Sequence, residues 1–170
     1  MVEVGPVLVL IGPMGAGKTR IGKRVARLLE VPFIDTDKRI VAEHGAIADI
    51  FAEHGEPRFR ELEREQVAKA LGEHGVISLG GGAVLDADTQ ADLVPLRVGL
   101  MTITAEAVAP RIAGETKRPL VADGIESWIR LHDQRRDLYD RLADRTFDTS
   151  TLPAEKIAHD IADWVREGTT

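Results

Sequence analysis

Residues 12 to 19 read Gly-Pro-Met-Gly-Ala-Gly-Lys-Thr, which fits the pattern G-x-x-x-x-G-K-[ST]. The chemistry this pattern serves is phosphate binding. Glycines let the backbone approach closely, and successive N–H groups turn toward one point. The helix that follows presents its positive dipole end to that same point. A lysine in the position of Lys18 reaches the β- and γ-phosphates of a nucleotide, and a hydroxyl in the position of Thr19 sits on Mg²⁺. The flanking sequence supplies the required context. Val7-Leu8-Val9-Leu10-Ile11 reads as a buried strand before the glycines, and Arg20 to Glu30 reads as a helix after them. An accidental glycine loop would not need both, so the chain is expected to bind a nucleoside triphosphate.

Three further groups could act on what is bound. Asp35-Thr36-Asp37 follows the short apolar run Val31-Pro32-Phe33-Ile34. Carboxylates at the carboxyl end of a strand stand where ligands collect in open α/β sheets. On an extended chain, residues 35 and 37 flank a residue that faces the other way, and one acid can serve a metal while the other serves a second substrate. The bland reading is a surface turn with an N-cap aspartate. Gly80-Gly81-Gly82 directly follows the apolar run Val76 to Leu79. Three glycines in series cost conformational entropy and make sense where a ligand touches backbone; otherwise they are a plain turn. The third group is cationic. Arg60 and Arg64 lie four apart on one predicted helix beside Arg58, and Glu63 can hold Arg60. Arg111, Lys117 and Arg118 bracket a basic stretch, and Arg135, Arg136 and Arg141 share a long predicted helix. Arginine suits bidentate capture of carboxylate or phosphate.

These groups need a scaffold, and hydrophobic periodicity outlines one. Strands are expected near 7–11, 31–35, 76–79, 97–103 and 146–148. Helices are expected near 18–29, 86–94, 105–113, 125–143 and 153–166, with two or three separate short helices between 36 and 73. The last helix carries Ile157, Ile161, Trp164 and Val165 on its inner face. Glu-His-Gly at 43–45, 53–55 and 73–75 reads as three helix stops rather than a metal site. His132 and His159 fall in polar helical stretches and are expected to be solvated, while Trp128 and Trp164 read as packing residues. Gly114 to Gly124 reads as a loop. Strands alternating with helices imply right-handed crossovers and a parallel sheet covered on both faces.

Composition narrows the function. The 170 residues make one domain the simplest reading, and 44% apolar with 29% charged residues is ordinary for a globular chain. A net charge of −6 argues against a nucleic-acid surface. No run approaches the ~18 apolar residues of a membrane span, and no export signal is evident. There is no cysteine, which removes disulfides and thiolate metal sites. A cytoplasmic monomer without membrane or nucleic-acid partners is therefore expected. The chain also has no asparagine, so the Asn-Lys-x-Asp guanine motif of a GTPase switch is absent. A small phosphotransferase fits best.

In order and spacing, the motifs resemble the shikimate kinase family from about Val7 to Asp148. The resemblance rests on the glycine loop, then Phe33-Ile34-Asp35-Thr36-Asp37, Ile47-Ala48-Asp49-Ile50-Phe51 and Phe59-Arg60-Glu61-Leu62-Glu63. Ser78-Leu79-Gly80-Gly81-Gly82-Ala83-Val84, Arg118-Pro119-Leu120 and Leu138-Tyr139 complete it. It implies an α/β P-loop NTPase fold, three-layered like the nucleoside-monophosphate kinases, with a five-stranded parallel sheet. It further implies a single domain with a substrate-binding segment near 33–63 and a lid near 111–124. The implied reaction moves the γ-phosphoryl group of MgATP to the 3-hydroxyl of shikimate, in aromatic amino-acid biosynthesis. The implied roles are these: Gly15, Ala16, Gly17, Lys18, Thr19 and Arg20 wrap the ATP phosphates, and Thr19 and Asp35 hold Mg²⁺. Asp37, Arg60, Gly81, Gly82 and Arg135 bind shikimate, with Asp37 orienting the reacting hydroxyl, and Glu63 orients Arg60. Arg118 and Arg111 close over ATP, and Lys18, Asp37 and Arg118 form the catalytic set. Two departures stand out. Asp137 replaces a common proline, which leaves Arg135 and Arg136 in competition, and no arginine follows the fifth strand to face the adenine. The competing readings are a related small-metabolite kinase, such as a gluconate kinase, and an ATP-binding P-loop protein without catalytic activity.

Overall fold

The computed structural model describes residues 5–113 and 124–168. The chain runs β1 (Leu8–Ile11), α1 (Lys18–Leu29), β2 (Phe33–Asp35), α2 (Thr36–His44), α3 (Ile47–Ala70) and β3 (Val76–Ser78). It continues with a 3₁₀ turn (Ala83–Leu85), α4 (Ala87–Leu93), β4 (Val98–Thr102), α5 (Ala105–Ile112), α6 (Ile125–Leu142), β5 (Arg145–Asp148) and α7 (Ala154–Glu167). The five strands form one parallel sheet in the order β2-β3-β1-β4-β5.

The apolar run of the first strand is explained by burial on both sides, as expected of a central parallel strand. Leu8 and Leu10 face a core shared with Ile21 and Val25 of α1, Val108 and Ile112 of α5, and Ile157, Ile161 and Val165 of α7. Val9 and Ile11 face the opposite core, with Val67 of α3, Leu93 of α4 and Tyr139 of α6. The chain therefore leaves β1 toward one face and its neighbour β3 toward the other. The carboxyl ends of these two strands border the crevice that such a reversal opens. A third, smaller core joins Ile40 of α2 to Ile50, Phe59 and Leu62 of α3. It anchors the segment that overhangs the crevice.

The expected elements are present, with physical reasons for the differences. Gly45 ends α2 as anticipated. Gly55 (φ 82°, ψ 170°) is non-helical just before Pro57, so α3 consists of two helical pieces that meet at a kink, and the second Glu-His-Gly ends the first of them as expected. The third Glu-His-Gly is not a helix stop. Helix α3 has already ended at Ala70, and a Cβ on Gly75 would lie 2.4 Å from the Pro32 carbonyl oxygen, so that glycine serves the close approach of β3 to β2. Residues 35–37 are not extended throughout. Asp35 closes β2, and its carboxylate accepts a 3.2 Å hydrogen bond from the Lys38 N–H, which makes it the N-cap of α2 and puts Asp37 in the first helical turn.

Gly12, where β1 enters the phosphate loop, has φ 141°, and a Cβ there would lie 2.2 Å from the Met101 carbonyl oxygen. Backbone in that position cannot give way. Gly45 also has positive φ, but open space surrounds it. Gly12→Ala is expected to lower the unfolding free energy by at least about 2 kcal/mol, against about 1 kcal/mol for Gly45→Ala, as measured by urea denaturation.

Candidate active site

The glycine loop is held from within and from two other elements. The Lys18 ammonium donates to the carbonyls of Gly12 (2.6 Å) and Pro13 (3.0 Å), spanning the loop it belongs to. Gly17 precedes α1 directly, so the helix begins at the lysine. Arg111, at the end of α5, donates to the Gly15 carbonyl at 2.8 Å. Thr149, just beyond β5, donates its buried hydroxyl toward the carbonyls of Ala16 (2.8 Å) and Thr102 (3.0 Å). Arg20 is exposed on α1. Beside the loop, the Thr19 hydroxyl donates to the second Asp35 carboxylate oxygen at 2.9 Å. One aspartate thus caps α2 with one oxygen and meets Thr19 with the other, so the capping reading and the site reading are compatible.

A cleft opens next to this loop. Pro13 and Met14 form one edge, Gly80, Gly81 and Gly82 the floor, and Asp37, Arg60, Glu63 and Arg135 its polar wall. Ile47, Phe51, Phe59, Trp128 and Leu131 supply an apolar wall, and His132 and Tyr139 complete the lining. The triple glycine has a reason other than backbone freedom. A Cβ on Gly80 would lie 2.6 Å from the Asp37 carboxylate, and one on Gly82 would lie 2.5 Å from the Arg60 guanidinium. The glycines leave room for those two side chains. Gly81 faces Arg135, the Gly12 carbonyl oxygen and the Met14 N–H at 3.5, 3.6 and 3.7 Å from where its Cβ would stand, so it joins the arginine-lined side of the cleft to the glycine loop.

The arginines sort themselves by partner. Arg60 is paired with Glu63 at 2.8 Å and lies over the Phe59 ring at 5.3 Å. Arg64 turns away to Asp92 (2.8 Å) and Thr89 (2.9 Å), and Arg58 pairs with Glu61 on the outside. Arg135 is 9% exposed and enters the cleft, whereas Arg136 is exposed and lines a different groove with Asp133 and Asp140. Of the two arginines beside Asp137, Arg135 is the one that lines this cleft. Arg118 and Lys117 lie outside the described residues, as does the part of the expected lid between 114 and 123.

Several contributors were not legible as site residues. Tyr139 donates its hydroxyl to the Gly81 carbonyl at 2.6 Å, and burial pushes its pKa up, so it stays a donor at neutral pH. Trp128 is buried, as expected of a packing residue, but its indole N–H donates to the Met14 carbonyl at 2.8 Å. His132 is half-buried rather than fully solvated. It stacks on Trp128 with centroids 4.9 Å apart, and burial, then Arg136, holds its pKa below the ordinary 6.5. The available signal was spacing: 128, 135 and 139 repeat at seven and four residues, which puts them on one helix face.

A family model described as Shikimate kinase matches residues 14–166. The chain belongs to the shikimate kinase family. Shikimate kinase of Streptomyces coelicolor is 42% identical over 163 residues, covering 94% of this chain and 95% of that one. Among solved structures, the shikimate kinase of Acinetobacter baumannii in complex with shikimate superposes with a TM-score of 0.89 at 28% identity, covering 98% of this chain and 96% of that one. The Aquifex aeolicus shikimate kinase gives 0.80 at 29% identity, covering 95% and 96%. The five-stranded sheet of the family is the sheet found here.

Glu63 is a buried carboxylate of the cleft wall, carried by α3. Burial raises its pKa above the usual 4.5, and Arg60 opposes this without overcoming it. A raised folded-state pKa means that the stability this group contributes is full below the unfolded pKa and is lost as pH rises through the folded one. The stability of the native chain relative to Glu63→Gln is therefore expected to be greatest below pH 4.5 and to decline toward neutrality. Urea unfolding at a series of pH values checks the sign.

Proposed function

We propose that this chain transfers the γ-phosphoryl group of ATP, with Mg²⁺, to the 3-hydroxyl of shikimate, and that the residues above divide the work. The observation that carries this reading is the shared cleft. Two arginines, an aspartate and the backbone of Gly81 line one depression whose edge is the phosphate loop. A compact hydroxylated ring carboxylic acid matches it. Arg60 and Arg135 would take the carboxylate, Phe51 and Phe59 would cover the ring, and Asp37 would take hydroxyls.

The Thr19 hydroxyl and the Asp35 carboxylate, 2.9 Å apart beside the loop, are hard oxygen donors of the kind Mg²⁺ accepts, so these residues fit the ion. Mg²⁺ neutralises phosphate charge when bound. Lys18 lies at the loop carbonyls and would move its ammonium onto the β- and γ-phosphates. Phosphoryl transfer passes through a loose transition state, so placement and charge neutralisation outweigh nucleophile activation. Asp37 orients the acceptor hydroxyl first and accepts its proton second. Arg111, already on the Gly15 carbonyl, would stand beside the nucleotide. Arg118 would deliver charge from the lid, whose closure keeps water from the transferring group.

A coupled assay of ADP formation tests the assignment, with shikimate and gluconate as rival acceptors. Shikimate-dependent turnover supports it, and turnover with gluconate alone would replace it. Asp37→Asn keeps shape and removes charge; its kcat is expected to fall at least about a hundredfold. Arg135→Ala is expected to raise the KM for shikimate at least about tenfold, while Arg136→Ala stays within about twofold.

A further inference from the structure

Helix α6 touches both halves of the site, and it does so along one face. Trp128 donates its indole N–H to the carbonyl of Met14, inside the phosphate loop. Seven residues on, Arg135 enters the acid cleft, and Tyr139 holds the Gly81 carbonyl. A rigid helix that carries all three groups moves them together. The Trp128 ring is also part of the cleft wall, 4% exposed, and His132 packs flat on it. The indole therefore has little freedom to follow the loop without its helix.

We propose that Trp128 is a positioning residue that couples the two ligands: the state of the phosphate loop, passed through the Met14 carbonyl to the indole N–H, sets the placement of Arg135. Nucleotide binding fixes the loop backbone. With the Trp128 bond in place, it also fixes the helix that presents the guanidinium to the acid. Because coupling free energies are reciprocal, the acid tightens the nucleotide by the same factor. The bond involved is a single neutral one, so a factor of about fivefold is the expected size.

This inference rests on the proposed function, and the two can fail separately. A native chain that forms no ADP from ATP and shikimate overturns the function. A native chain that turns over but binds shikimate equally well with and without ADP overturns the coupling alone. The experiment is calorimetric titration of shikimate, with and without saturating ADP, on the native chain and on Trp128→Phe, which keeps a ring and loses the donor. ADP is expected to tighten shikimate about fivefold in the native chain and less than about twofold in the variant, each factor being taken against the same chain without ADP. An equal factor in both leaves Trp128 a core residue and nothing more. A second measurement does not depend on the variant's folding. The chain has two tryptophans, and Trp164 packs on Phe147, away from the cleft. In Trp164→Phe, ADP alone is expected to shift the emission of Trp128, since its hydrogen-bond acceptor belongs to the loop. An unmoved spectrum at saturating ADP overturns the proposal.

Discussion

The floor of the cleft has no side chains, and the rest of the site depends on that. Gly80 and Gly82 cannot accept a Cβ because the Asp37 carboxylate and the Arg60 guanidinium occupy the space. Those two groups come from α2 and α3, which form a segment of their own around Ile40, Ile50, Phe59 and Leu62. Closing that segment onto the sheet is possible only because the strand it meets ends in bare backbone. The part-buried Gly81 carbonyl is then satisfied by Tyr139, so an orphan acceptor at the bottom of a cleft, which would cost stability, becomes the contact that seats α6. Sequence position, backbone approach and the direction of three charged groups are one constraint here.

Much of this was legible because it depends on local pattern. The glycine loop between an apolar run and a helix sets the phosphate site, and the alternating elements set the parallel sheet. Arg60 and Glu63, three apart on a helix, had to be neighbours. What escaped depends on contacts across the fold. Nothing local to Trp128 announces that Met14, in a different element, lies within reach of its N–H. His132 sits among polar residues and reads as solvated, yet the tryptophan one turn earlier gives it a surface to lie on. The 35–37 segment was misread as extended throughout because the apolar run before it ends without a glycine or proline, and the capping role of Asp35 starts the helix at once. Gly75 fits a helix stop by composition, but its actual duty is to lie against Pro32, a cross-strand demand.

Stability and function pull against each other at Glu63. A carboxylate that is 4% exposed is disfavoured as an ion, and the pairing with Arg60 does not fully offset the desolvation. An apolar residue there would suit the core better. Arg60 has two acidic neighbours, Glu63 at 2.8 Å and the more exposed Glu56 at 3.6 Å. Glu63 is the nearer of the two and holds the guanidinium beside Gly82. The cost in burial thus fixes an arginine direction, which a reaction governed by placement requires.

The remaining difficulty for such a site is electrostatic. A polyphosphate and a carboxylate must approach one another inside a chain whose net charge is −6. The total matters little, because exposed charges are screened beyond about 8 Å. What matters is the local set, and it places cations on both sides of the Gly81 contact. Lys18 and Arg111 bind the loop carbonyls, and Arg60 and Arg135 stand in the cleft. Two of these cations are tied to backbone oxygens of the loop itself, so the loop keeps its shape with the positive charge already in place. Anions arriving at the loop would exchange with those carbonyls for the same ammonium and guanidinium groups. That exchange would free loop carbonyls such as that of Gly12, whose oxygen lies 3.6 Å from where a Cβ on Gly81 would stand.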